Sequence, residues 1–232
     1  MTIVTKLEKE VYDLLIHQLN NYWTDYDAQI INKMVPFALE EMENSYSAVS
    51  SDKFYNNNRM VFSPYYSVTW MIFLYRLSYL LGIENNNHEA GIVYYLNKIM
   101  HSIDWFYQVK LPVHFMAEHP LGSVLGRARY GDYLFVYQGT TVGGNRKDNK
   151  LYYPVIGNNV VMYANSSVLG NSNIGNNVII SANSYLINEN IPSNCIVFGQ
   201  SPNICIKRKN EEEIKMMTKA FWKWQTKNIQ TN

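Results

Sequence analysis

A chain of 232 residues with a formal charge of +1 makes no electrostatic case for nucleic acid, and its 47% apolar and 14% aromatic composition argues against disorder. Cys195 and Cys205 are too few for a disulfide framework and fit no metal spacing, so a reducing, cytoplasmic setting without metal is expected. The N-terminus, MTIVTKLEKEVYDLL, lacks the charged-then-apolar layout of a secretion signal.

Residues 1–103 read as a helical domain. Leu7, Val11, Leu14, Leu15 and Leu19 recur at three- and four-residue intervals, which predicts one face of a helix. AQIINKMVPFALEEM continues the style, with Pro36 implying a break or kink. SDKFYNNNRMVFSP reads as a loop. Residues 65–82 form a third helix, with Pro64 in its first turn and Gly82 at its end. Arg76 near its centre favours a buried helix over a membrane span. HEAGIVYYLNKIMHSI supplies a fourth.

From about residue 104 the period changes to six. Ile156, Met162, Val168, Ile174, Ile180 and Leu186 are all apolar, and Val124, Tyr130, Val136 and Val142 form an earlier block with the same step. Gly and Asn fill the intervals, as in IGNNVV and VLGNSN, and these residues tolerate the left-handed backbone of tight corners. Such a repeat predicts a β-helix over residues 104–209, its short strands winding round a triangular prism. The two blocks are out of phase by two residues, so GGNRKDNKLYYPV must bulge out of the prism. After residue 209, EEEIKMMTKAFWKWQ predicts a closing helix with Ile214, Met217 and Phe221 on one face, widened by Trp222 and Trp224. The fold class is α+β: a helical domain, a β-helix, then a C-terminal helix and tail over residues 210–232.

Read together, EHPLGSVLG, QGTTVGG, the loop to Tyr153-Pro154 and IGNNVVMYANSSVLGNSNIGNNVIISANS resemble the serine acetyltransferases among the hexapeptide-repeat acyltransferases. The resemblance covers about residues 60–206. It implies a left-handed β-helix, acetyl-CoA as acyl donor, no metal, and homotrimers, with their pairing through the helical half left open. The family's Asp-His-Ala-Thr-Gly motif matches Glu118 to Gly122, which makes His119 the general base. The family's partner aspartate, fifteen residues earlier, matches Asp104, which would orient the imidazole. The second glycine of the GG pair, Gly144, matches the donor of a backbone N–H to the thioester oxygen. Ala164 and Ala182 match residues lining the pantetheine groove, though a small corner residue is an equal reading. Lys207 and Arg208 meet a CoA phosphate or form a solvated charge run.

Two departures bear on the acceptor. The family's Arg-His-Pro is here Tyr152-Tyr153-Pro154, and its aspartate before the histidine is Glu118. Loss of that guanidinium and imidazole points from free serine toward a sugar or polysaccharide hydroxyl, with serine as the alternative and a non-catalytic scaffold as the third reading. The ending KNIQTN lacks the family's terminal isoleucine, so no cysteine-synthase complex is expected. His17, His88 and His101 read as surface or satisfied polar residues, and His114 is the one rival base or ligand.

Overall fold

The computed structural model describes residues 6–224. Four helices come first: α1 (Lys6–Leu19), α2 (Ala28–Ser47), α3 (Ser67–Ile83) and α4 (Asn87–His101). The Asp27 carboxylate caps α2 by accepting from the Gln29 and Ile30 amides. Helix α2 runs through Pro36 without a break. The carbonyl that loses its donor there belongs to Asn32, which is exposed and open to water. Pro64 lies outside α3, which begins at Ser67 and passes through Gly82 to Ile83. Nearly every residue of α3 is buried, because it is the central helix, packed against both α2 and α4. Its Arg76 donates to the carbonyls of Pro112 (2.7 Å) and Val113 (2.9 Å), tying the helix to the start of the prism. No helix among the described residues is long and apolar enough to cross a membrane.

His101 closes α4 in a buried position, with Nδ1 2.7 Å from Asn97 Oδ1. Burial lowers its pKa to about 4, more than the Asn97 contact raises it. The unfolded chain therefore binds a proton between about pH 6.5 and 4 that the folded chain refuses, so stability falls as the pH drops through that window. Wild type should lose about 2–3 kcal/mol more than His101→Gln between pH 7 and 4 in urea unfolding. Equal losses in the two proteins would contradict this.

Beyond α4 the chain winds into a parallel β-solenoid of three faces. Face one stacks Phe115–Ala117, Leu134–Val136, Val160–Met162, Val178–Ile180 and Cys195–Gln200. Face two stacks Asp104–Trp105, Val124–Leu125, Thr141–Gly143, Ser167–Leu169 and Tyr185–Ile187. Face three stacks Arg129–Tyr130, Val155–Ile156, Asn173–Ile174 and Asn190–Ile191. Each coil passes from face one to two to three. Val136, Met162, Ile180 and Val197 form one buried column, Val142, Val168 and Leu186 a second, Ile156, Ile174 and Ile191 a third. Val124 departs from the six-residue step: it points outward at 38% exposure, and Leu125 fills the core between Trp105 and Val142. The step from Leu125 to Tyr130 is five residues, so it shortens there.

The corners follow from their residues. Asn159, Asn177 and Asn194 all take positive φ and form a ladder in which Asn159 Nδ2 donates to Asn177 Oδ1 and Asn177 Nδ2 to Asn194 Oδ1, each at 2.9 Å. A Cβ on Gly157 would stand 2.6 Å from the Gly175 backbone, so only glycine fits that close approach. The bulge between faces two and three is a hairpin, Asn145–Lys147 paired with Lys150–Tyr152, turned by Asp148 (φ 49) and Asn149 (φ 61).

The prism's last strand, Asn203–Arg208, reverses and pairs antiparallel with Cys195–Gln200. Helix α5 (Glu211–Thr218) follows behind a capping box of Asn210 and Glu213. It is shorter than the sequence suggests. Ile214 and Thr218 are its buried residues, and Met217 faces solvent. Phe221 and Trp222 lie beyond it, Phe221 in a turn and Trp222 bridging Val49, and both pack on Phe135 of face one. The stretch after Trp224, including KNIQTN, lies outside the described residues.

Candidate functional site

The first corner, between faces one and two, carries His119. In the next coil Tyr137, Gln138 and Gly139 take this turn, with Gly139 N–H donating to the Leu121 carbonyl (2.9 Å). Against that pattern His119 and Pro120 are two extra residues. The insertion throws His119 outward with φ 49, exposed, and its ring makes no hydrogen bond among the described residues. Ala164 and Ala182 occupy the same corner two and three coils on, linked by the Asn183 N–H donating to the Ala164 carbonyl (2.9 Å). Two small side chains therefore stack along this corner, beyond Gln138 of the intervening coil. Glu118 accepts from the Tyr137 hydroxyl (3.2 Å), and the Tyr137 ring stacks on Tyr163 at 5.2 Å.

Asp104 opens face two next to this corner, its N–H bonded to the Ser123 carbonyl (2.9 Å). Its carboxylate is not hydrogen-bonded to His119. Instead Oδ1 accepts from the Tyr94 hydroxyl (2.7 Å) and Oδ2 from Lys98 Nζ (2.6 Å), both on α4. Partial burial pushes its pKa up, but the Lys98 and Tyr94 bonds outweigh it and hold the group below the usual carboxylate value. It is charged at neutral pH.

The second corner, between faces two and three, carries the hairpin and with it Gly144, Tyr152 and Tyr153. The Gly144 N–H donates to nothing among the described residues. A Cβ on Gly144 would stand 2.9 Å from the Tyr153 ring, so the glycine admits that ring. Lys150 Nζ sits 5.2 Å over the Tyr152 ring. Beside Tyr153 lies a cavity of about 460 Å³ lined also by Gln108, Val109, Lys110, Arg127, Ala128 and Arg129. Sequence reading found the loss of a guanidinium from the loop and missed these two arginines. Arg129 pairs with Val155 one coil on, but the hairpin stretches that coil to 26 residues, so an 18-residue count passes over it.

The third corner holds His114, whose Nδ1 lies 2.7 Å from Asp132 Oδ2 while its ring stacks on Tyr133. The rival histidine is thus partnered, away from both other corners. Lys207 and Arg208 are exposed on the reversing strand, opposite Ile196 and Cys195. Among the described residues no group of three His, Cys, Asp or Glu could hold a metal ion, and both cysteines are free.

The predicted residues therefore split. His119, Glu118, Ala164 and Ala182 share the first corner with Asp104 beside it, while Gly144, Tyr152 and Tyr153 share the second. Face two lies between, and three or more extended residues span about 10 Å. A base and an oxyanion donor must each come within about 3 Å of its own target atom at one reacting centre.

The chain matches no protein-family profile. A serine acetyltransferase of Synechococcus elongatus is 36% identical over 106 residues, 45% of this chain and 43% of that protein. The chain thus spans less than half the length of this curated relative. Among solved structures, Neisseria gonorrhoeae serine acetyltransferase superposes with a TM-score of 0.68 at 20% identity, over 91% of this chain and 84% of that one. A serine acetyltransferase solved as a complex with CoA gives 0.68 at 19% identity, over 88% and 85%. The chain has the fold of the serine acetyltransferases, helices followed by a hexapeptide-repeat left-handed β-helix, and resembles them in sequence over part of its length.

Proposed function

We propose that the chain transfers the acetyl group of acetyl-CoA to the hydroxyl of serine. The observation that carries this reading is the first corner, where an inserted, unpartnered His119 shares its edge of the prism with Ala164 and Ala182 two and three coils on. Neutral His119 takes the acceptor's proton as its oxygen attacks the thioester carbon that acetyl-CoA supplies. Asp104 is a positioning residue. A carboxylate has about four lone-pair sites, so it can accept the imidazole Nδ1–H while keeping Lys98 and Tyr94. The unused Gly144 N–H donates to the thioester oxygen. The pantetheine arm follows Ala164 and Ala182 toward Lys207 and Arg208. Glu118 takes the acceptor's ammonium group.

Because base and oxyanion donor stand on different corners, the first corner of one copy must meet the second corner of another. That contact is heterologous, and three copies close it into a ring, a homotrimer.

A sugar acceptor is less favoured than the sequence suggests. It rested on two open tyrosine faces and a missing guanidinium, yet Tyr153 packs against Gly144 and two arginines line its cavity. The relatives named above are serine acetyltransferases. The test is thiol release from acetyl-CoA with serine, nucleotide sugars and oligosaccharides as acceptors. Serine should be turned over fastest. A faster sugar would return the saccharide reading, and silence across the panel would favour a scaffold.

A further inference from the structure

Arg127 and Arg129 stand without a counter-charge. Ala128 between them packs against the core, so the alternation of an extended chain turns both guanidiniums outward on one side. Neither side chain makes an ion pair or hydrogen bond among the described residues, and Lys110 adds a third cation to the same cavity beneath Tyr153. Position is fixed by the backbone, since the Arg129 N–H donates to the Pro154 carbonyl at 3.0 Å. Like charges held together repel unless an anion lies between them.

We propose that this cavity holds the carboxylate of the amino-acid acceptor, with Arg127 and Arg129 as its specificity determinants; this rests on the acetyl-transfer reading. Location separates this anion from the phosphates of CoA. Ala164 and Ala182 lie in coils after His119, toward the far end of the prism, whereas Arg127 and Arg129 belong to the coil of His119 itself. In the ring of copies the second corner faces the first corner of the next chain. An acceptor would then place its carboxylate on Arg127 and Arg129, its ammonium on the partner subunit's Glu118 and its hydroxyl on the partner subunit's His119. A carboxylate suits paired guanidiniums because both its oxygens accept in one plane. The guanidinium lost from the loop is in this way supplied from the preceding coil.

The test compares L-serine with L-serinamide, which keeps the hydroxyl and amine and lacks the carboxylate charge. Binding of each to wild type, Arg127→Met and Arg129→Met is followed by calorimetry, and turnover with acetyl-CoA is followed in parallel. Wild type should bind serine about tenfold or more tighter than serinamide, and each variant should erase that preference and raise the KM for serine with the KM for acetyl-CoA unchanged. Both arginines are exposed, so the variants should fold. Equal binding of the two compounds by wild type, no serine binding, or variants that keep the preference overturns the proposal. Serine turnover with an unaltered KM in the variants removes the pocket and leaves acetyl transfer standing. Arginine-dependent serine binding without any turnover keeps the pocket and removes serine acetylation.

Discussion

Co-expressing His119→Ala with Gly144→Val should restore about a quarter of wild-type turnover from two proteins that are each nearly inactive. Alone, the first loses the proposed general base, worth about 10²–10⁴ in rate. The second loses an oxyanion donor, worth about 10²–10³, because its side chain collides with the Tyr153 ring and the Tyr152 carbonyl. In a ring every site combines the first corner of one chain with the second corner of its neighbour. A random mixture gives an intact pair whenever a Gly144→Val chain supplies the first corner and a His119→Ala chain the second, about one site in four. A site contained within one chain could never be restored this way. A mixture as inactive as its parents therefore refutes the shared site, while full inactivity of His119→Ala alone would keep its role as base.

Trp105→Ala should lower stability by about 3–5 kcal/mol, the largest effect expected of a single core residue. Trp105 is 1% exposed and starts the prism's core column beneath Leu125. Its indole donates to Ser123 Oγ at 2.8 Å, and its ring meets Phe115 edge-on at 5.2 Å and Tyr75 of α3 at 6.2 Å. The truncation opens a cavity where helical domain and prism meet and strands the Ser123 hydroxyl. The denaturant midpoint of purified protein reads the loss. A change below about 1 kcal/mol would mean that the two halves are held together elsewhere.

The prism was legible because its signal is local. Each coil repeats an apolar inward residue with Asn or Gly near the corners, and the six-residue series from Ile156 to Leu186 sits inward as predicted, spread over the three columns. The step failed at Val124, where the coil shortens by one residue just after the His119–Pro120 insertion. Of the break or kink expected at Pro36, no break occurs, since burial of Met34, Val35, Ala38 and Leu39 on either side holds α2 together. The end of α5 was misread because Phe221 and Trp222 keep a helical spacing but gain more from packing on Phe135.

The members of the candidate site stood out in the sequence, and their arrangement in space did not. His119, Asp104 and Gly144 lie in recognisable local motifs. That they occupy two corners depends on where each coil turns, and the ejected hairpin hides this by lengthening one coil. The grip of Tyr94 and Lys98 on Asp104 depends on how α4 lies against the prism, which no spacing along the chain reports.

The reversing strand Asn203–Arg208 has a consequence for the behaviour of many molecules together. A parallel ladder is open-ended by nature, and the bare rim of its last coil would accept the first coil of another molecule as readily as a further turn of its own. Here the final strand of face one is occupied by its own chain running in the opposite sense. At the other rim, the first strands lie against α2 and α4. Growth along the axis is hindered at both ends, so copies are left to meet sideways, edge to edge, where the first and second corners lie.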